Sequence, residues 1–123
     1  MIGKICTSTT PFYDCKSQKN SFKSRPVLII AGPRNDDYTI LPISTISKKE
    51  NVDHEYDIPL SIKDYPLLNL KQDCYIRTHK QTTVHKKSII KELSSLKDTY
   101  EDLYLNVFCK LEEYNKHILD NAI

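Results

Sequence analysis

Arg25-Pro26-Val27-Leu28-Ile29-Ile30 is the stretch that decides the fold. Val27 to Ile30 are consecutive apolar residues, mostly β-branched, and the run is too short for a buried helix. Such a run reads as a strand covered on both faces. Pro26 has no N–H and holds φ near about −65°, so it belongs at the strand entrance. Ala31-Gly32-Pro33-Arg34-Asn35-Asp36-Asp37 then reads as a turn from its Gly, Pro, Asn and Asp content.

Working outward, more strands appear. Residues 38–45 form a second one, and Pro42 inside it predicts a sheet edge or a bulge. Residues 54–60 alternate like a half-exposed strand. Residues 73–79 form another, 81–85 follow after a tight turn, and Ile89-Ile90 add a short last one. Upstream, residues 2–6 make a short first strand. The polar run Thr7 to Ser24 reads as a long loop, a length that usually carries function. The C-terminal helix is placed at about 98–121. Asp98 takes the N-cap role and Glu101 the N3 role of a capping box. Tyr100, Tyr104, Val107, Leu111, Tyr114 and Ile118 form its apolar stripe, widened by Leu103 and Phe108. The stripe is a core face laid on the sheet. The fold class is mainly β with a C-terminal helix: a strongly twisted, mostly antiparallel barrel or sheet.

With 123 residues and no linker-like stretch, the chain reads as one domain spanning 1–123. No apolar run approaches the roughly 20 residues that cross a bilayer. The N-terminus has no signal-peptide pattern, so the expected location is the cytoplasm. Cys6, Cys15, Cys74 and Cys109 contain no C-x-x-C pair and therefore no zinc motif. Four free thiols are expected; a Cys6–Cys15 disulfide is the alternative. No metal or cofactor is implied.

The net charge of +2 conceals segregation. Segments 1–25 and 71–91 carry +4 and +5, whereas 26–70 and 92–123 carry −3 and −4. If folding joins the two cationic segments, their common face suits a polyanion. Arg25 lies where the cationic loop meets the rigid strand, and its guanidinium can grip a phosphate with two hydrogen bonds. The plainer reading pairs it with Asp36 or Asp37. In Ser44-Thr45-Ile46-Ser47-Lys48-Lys49 an apolar strand ends in hydroxyls and two lysines, groups that contact phosphate. Arg77 and His79 lie two apart in an extended segment and point to one face. A histidine can move a proton near neutral pH, and an arginine can stabilise charge on a phosphorus centre. His54, His85 and His117 lack such company and read as surface residues.

The order of these pieces resembles one known family. A short Ile-Gly-Lys-Ile strand is followed by a polar loop, then Ser24-Arg25-Pro26-Val27-Leu28-Ile29-Ile30, a turn, Leu41-Pro42-Ile43-Ser44-Thr45, a late basic strand and a final helix. This layout is similar to the MazF/PemK toxins of bacterial toxin–antitoxin systems. The resemblance implies a small SH3-like twisted β-barrel with a C-terminal helix, acting as a homodimer. It implies metal-independent, sequence-selective cleavage of single-stranded RNA by attack of the adjacent 2′-OH, leaving a 2′,3′-cyclic phosphate. By position, Arg25 matches the family's Arg before Pro, and Thr45 its strand-end Thr. Arg77 and His79 fall where relatives place an Arg and, two residues on, an Asp. A His there departs from the pattern and changes the charge and working pH. The resulting candidates are Arg25, Thr45, Arg77 and His79 for chemistry. Lys16, Lys19, Lys23, Ser44, Lys48, Lys49 and Lys80 are candidates for RNA binding, with Phe12 or Tyr13 as a base-stacking surface. The partner implied is an acidic antitoxin. The alternatives are a gyrase poison of the CcdB type, disfavoured by the absence of tryptophan, and a plain RNA-binding module.

Overall fold

A computed structural model describes residues 1–14 and 19–123, and the side chains outside 10–23. Its strands are β1 (Lys4–Asp14), β2 (Lys19–Arg34), β3 (Asp37–Ser44), β4 (Asp57–Leu60), β5 (Cys74–Arg77), β6 (Thr82–His85) and β7 (Ile89–Ser95). Two helices end the chain: α1 (Leu96–Thr99) and α2 (Glu101–Ala122). The strands run β4-β5-β3-β2-β1-β7, with β6 also on β3. Every described pairing is antiparallel. The mainly β fold with a C-terminal helix is as expected. The strand path is open from β4 to β7, so the sheet is twisted without closing into a hydrogen-bonded ring.

The Val27–Ile30 strand is covered on both faces, because its side chains alternate between two cores. Leu28 and Ile30 join Ile5, Leu41, Ile43, Leu60, Ile76, Val107 and Leu111 in the main core beneath the helix. Val27 and Ile29 join Cys6 and Ile40 in a smaller core on the other face. Each such side chain contributes roughly 1.5–3 kcal/mol on burial, which is why this strand organises the sheet.

Three expectations are corrected. The run Thr7 to Ser24 is not a long loop. Its two arms are the ends of β1 and β2, paired continuously from Ile5–Leu28 to Asp14–Lys19. Polar, threonine-rich arms carry no apolar alternation, yet backbone pairing holds them extended, and threonine suits a pleated surface. Pro42 marks no sheet edge. β3 is paired on both sides, and one flank changes partner from β6 (Asp37–Ile40) to β5 (Ile43–Ser44). Leu41 and Pro42 fall between those two pairings, where a missing N–H costs little. The helical capping box lies three residues earlier than expected. Ser95 caps α1, accepting from Asp98 N–H at 3.3 Å and donating to the Asp98 carboxylate at 2.9 Å. Tyr100, with φ −136° and ψ 70°, then separates α1 from α2.

In α2, Tyr104, Val107 and Leu111 are buried, with Leu103 and Phe108 packed beside them. The stripe ends sooner than the sequence suggests, since Ile118 is exposed. The helix runs about 33 Å at 1.5 Å per residue and outreaches the sheet. Cys6 and Cys74 are buried free thiols and Cys109 is an exposed one; Cys15 lies outside the described residues. No helix among the described residues is long and apolar enough to cross a membrane.

Candidate active-site groove and the Asp57 network

A groove of about 550 Å³ opens where three distant segments meet. Its first wall is the entrance of the central strand, Ser24, Arg25 and Pro26, with Thr7 of β1 beside it. The second is the end of β3: Ile43, Ser44 and Thr45. The register explains their meeting. Val27 pairs with Pro42, and the same register carried outward sets Arg25 level with Ser44 and Ser24 level with Thr45. The third wall is Asn69, Leu70, Lys71 and Gln72, with Leu93 behind and Cys74 below.

The third wall is tied down at several points. Asn69, with φ 57°, donates its side-chain amide to Leu93 C=O at 2.9 Å. Ser94 Oγ donates to Leu68 C=O at 2.8 Å, and Leu67 N–H donates to Tyr100 Oη at 3.1 Å. Ile62 N–H donates to the Asp73 carboxylate at 2.8 Å. The groove therefore has a fixed shape. Its polar lining is Arg25, Lys71, four hydroxyls and two amides, with neither a carboxylate nor an imidazole among the described residues. Arg25 comes from the cationic 1–25 segment and Lys71 from the cationic 71–91 segment, so the two do converge. Burial, helped by Asp73, pushes the Cys74 thiol up to about 11. It stays protonated near neutral pH and is no nucleophile.

Among the expected site residues, Arg25, Ser44 and Thr45 line this groove. Arg77 and His79 do not. They share a face as their spacing requires, but that face meets Asp57. Asp57 is the cross-strand partner of Arg77, and its side chain is fully buried. Arg77 Nε donates to Asp57 Oδ1 at 3.1 Å and Arg77 Nη2 to Asn51 C=O at 3.3 Å. His79 Nδ1 lies 3.7 Å from Asp57 Oδ1, and Nε2 lies 3.9 Å from Asp53 Oδ2. Tyr56 and Tyr114 flank its ring at 6.3 and 6.0 Å. Thr78 Oγ1 donates to Tyr56 C=O at 2.6 Å, closing the cluster. Burial pushes the Asp53 carboxyl up, but the N–H groups of Tyr56 and Glu55, with His79 and Arg77 nearby, outweigh it and hold the group below its ordinary value.

The remaining candidates are dispersed. Lys48, Lys49 and Lys80 are exposed outside the groove lining. Lys19 and Lys23 lie on β2 and Phe12 and Tyr13 on β1, with side chains outside the described set; Lys16 is outside it entirely. Asp36 pairs with Lys86 at 3.1 Å rather than with Arg25. His54, His85 and His117 are exposed, as expected. Sequence reasoning missed Thr7, Asn69, Gln72 and Asp57. Only Lys71 carried a signal, as part of a cationic segment.

Comparison with known proteins places the fold and then the family. No curated protein sequence matches the chain. Among solved structures, the Mycobacterium tuberculosis toxin MazF-mt6 matches with a TM-score of 0.59 over 95% of this chain and 96% of that one, at 16% identity, a likeness of fold. The family model for the PemK-like, MazF-like toxin of type II toxin–antitoxin systems matches residues 9–109, from the middle of β1 to the middle of α2. That span holds every described groove residue except Thr7, and the chain belongs to this toxin family.

Proposed function

We propose that the chain is an endoribonuclease toxin that cleaves single-stranded RNA at selected sites without a metal ion. The observation that carries this reading is the groove: rigid, open, and lined by Arg25, Lys71 and hydroxyls with no described carboxylate. Such a lining attracts a phosphodiester and repels nothing anionic. Arg25 faces the scissile phosphate and stabilises the charge that grows on its oxygens as the adjacent 2′-OH attacks. Thr45 and Ser44 donate hydroxyl hydrogen bonds to the same oxygens. Lys71 holds a neighbouring phosphate on the opposite wall. No described lining residue is a ready base, so solvent hydroxide takes the 2′-OH proton as the new P–O bond forms, the bond to the 5′-oxygen breaks and water protonates that oxygen, while the groove contributes orientation and charge stabilisation. Arg77 and His79 act at one remove, as positioning residues. They lock the far end of β5, whose near end carries Cys74 beneath the groove.

The same cationic groove suits the acidic, disordered segment of a cognate antitoxin, which folds as it binds. The expected setting is a homodimer in the cytoplasm. The test is incubation of purified protein with a long RNA in EDTA, followed by mapping of the ends. Cleavage at a few sites, with 2′,3′-cyclic phosphate and 5′-OH termini, is the expected result. RNA that stays intact, or is cut only after metal is added, overturns the reading.

A further inference from the structure

The two sides of the groove differ in what they offer a ligand. Ser24, Arg25, Ser44 and Thr45 give one side charge and hydroxyls. The wall Asn69–Gln72 offers something else. Leu70 and Leu93 are half-buried and make an apolar surface there, which the flat face of a base can cover. Asn69 stands at its edge in the left-handed region, with φ 57° and ψ 35°, where it ends the single helical turn Pro66–Leu68. Its amide has a defined orientation. Leu93 C=O can only accept, so the atom 2.9 Å from it is the amide nitrogen. Oδ1 therefore points away from Leu93 as an acceptor. Ser94 Oγ holds the preceding Leu68 C=O at 2.8 Å, which fixes the turn that carries Asn69. A phosphodiester has only acceptor oxygens and gains nothing at Oδ1. The group that fits this atom is a donor.

We infer that Asn69 is a specificity-determining residue that reads an exocyclic amino group on an unpaired RNA base and so disfavours uracil at its position. The inference rests on the reading of this groove as an RNA site and deepens it by assigning the class of base. Single-stranded RNA leaves its base edges unpaired and open to side-chain amides. Adenine, cytosine and guanine each carry an amino group that can donate to Oδ1; uracil has none. The single ring donor of uracil, N3–H, lies between two carbonyl oxygens, so uracil sets acceptors beside the acceptor Oδ1. A base that cannot donate leaves Oδ1 desolvated and unpaired, and such a loss is how a polar site discriminates. Leu93 already holds the amide, so little side-chain freedom is lost on binding. Arg25 and the hydroxyls hold the backbone across the groove, where contacts position the strand, while Asn69 specifies the base.

Affinity for uncleavable oligomers tests this apart from catalysis. Heptamers of A, C or U with 2′-fluoro sugars lack the attacking hydroxyl, which is also the other donor that Oδ1 could meet. A fourth heptamer carries purine bases without the 6-amino group. Fluorescence anisotropy should give a Kd for A and for C about 5- to 10-fold below that for U, the scale of one hydrogen bond. The amino-free heptamer should bind like U. Asn69→Gly removes the amide but keeps the left-handed backbone, which glycine adopts freely. It should bring the four constants together. A U heptamer bound as tightly as A, or an amino group whose removal changes nothing, overturns the inference. So does an Asn69→Gly protein that binds all four more weakly with their ratios kept, since Asn69 is then only a tie within the wall. Cleavage in EDTA is a separate assay. Protein that binds with this preference but leaves RNA intact refutes the nuclease and not the base reading, whereas cleavage without any base preference refutes only the base reading.

Discussion

Arg25 and Asp57 show how differently a charged residue can be used in one small protein. Arg25 is exposed at the rim of the groove, so its removal costs the fold little. Arg25→Ala should lower RNA cleavage about 10²- to 10³-fold, the loss typical of one charge-stabilising donor, while the urea midpoint holds steady. Asp57 is buried, accepts from Arg77 and from the Asp53 N–H, and lies 3.7 Å from His79 Nδ1. Asp57→Asn leaves Arg77 without its charged partner and should cost about 2–3 kcal/mol in urea unfolding. A third outcome concerns protons. With no described imidazole or carboxylate in the groove, the cleavage rate should rise steadily with pH from 6 to 8. A fall in cleavage rate in His79→Ala at unchanged urea midpoint would return proton transfer to His79. Arg25 was legible in the sequence because Pro26 and the apolar run mark its place. Asp57 was not, because an Arg–Asp pair made across two strands needs the register, and register has no local signature.

At the scale of elements, the sequence is read best where periodicity is strong. The double-faced strand and the helix stripe were both legible. The Thr7–Ser24 arms were not, because their pairing is made by backbone groups rather than by an apolar pattern. Helix starts are legible in kind but not in position. Ser95 and Asp98 satisfy the capping chemistry that the sequence also offered at Asp98 and Glu101. Ser95→Ala should therefore cost about 1 kcal/mol in thermal or urea unfolding. Gly32 is the other fixed point. Its φ of 102°, with Asp37 C=O 2.8 Å from where a Cβ would sit, makes the turn into β3 specific to glycine.

For the whole molecule, the informative quantity is charge in space rather than along the chain. Two cationic segments some 45 residues apart meet across one groove, each supplying a cation. Lys71→Ala should weaken RNA binding and flatten its dependence on log salt by about 0.7, the increment for one phosphate contact on a single strand. Affinity titrations at several salt concentrations check this. The sequence by itself determined the strand buried on both faces, the apolar stripe of α2, the charge segregation and the order of elements that marks the family. Each of these is written in neighbouring residues, whose types set local conformation and burial. Only the tertiary structure decided that Arg25 and Thr45 share a groove with Asn69–Gln72 while Arg77 and His79 turn to Asp57. Those contacts join segments that the chain keeps far apart, and strand register and packing, not local propensity, bring them together.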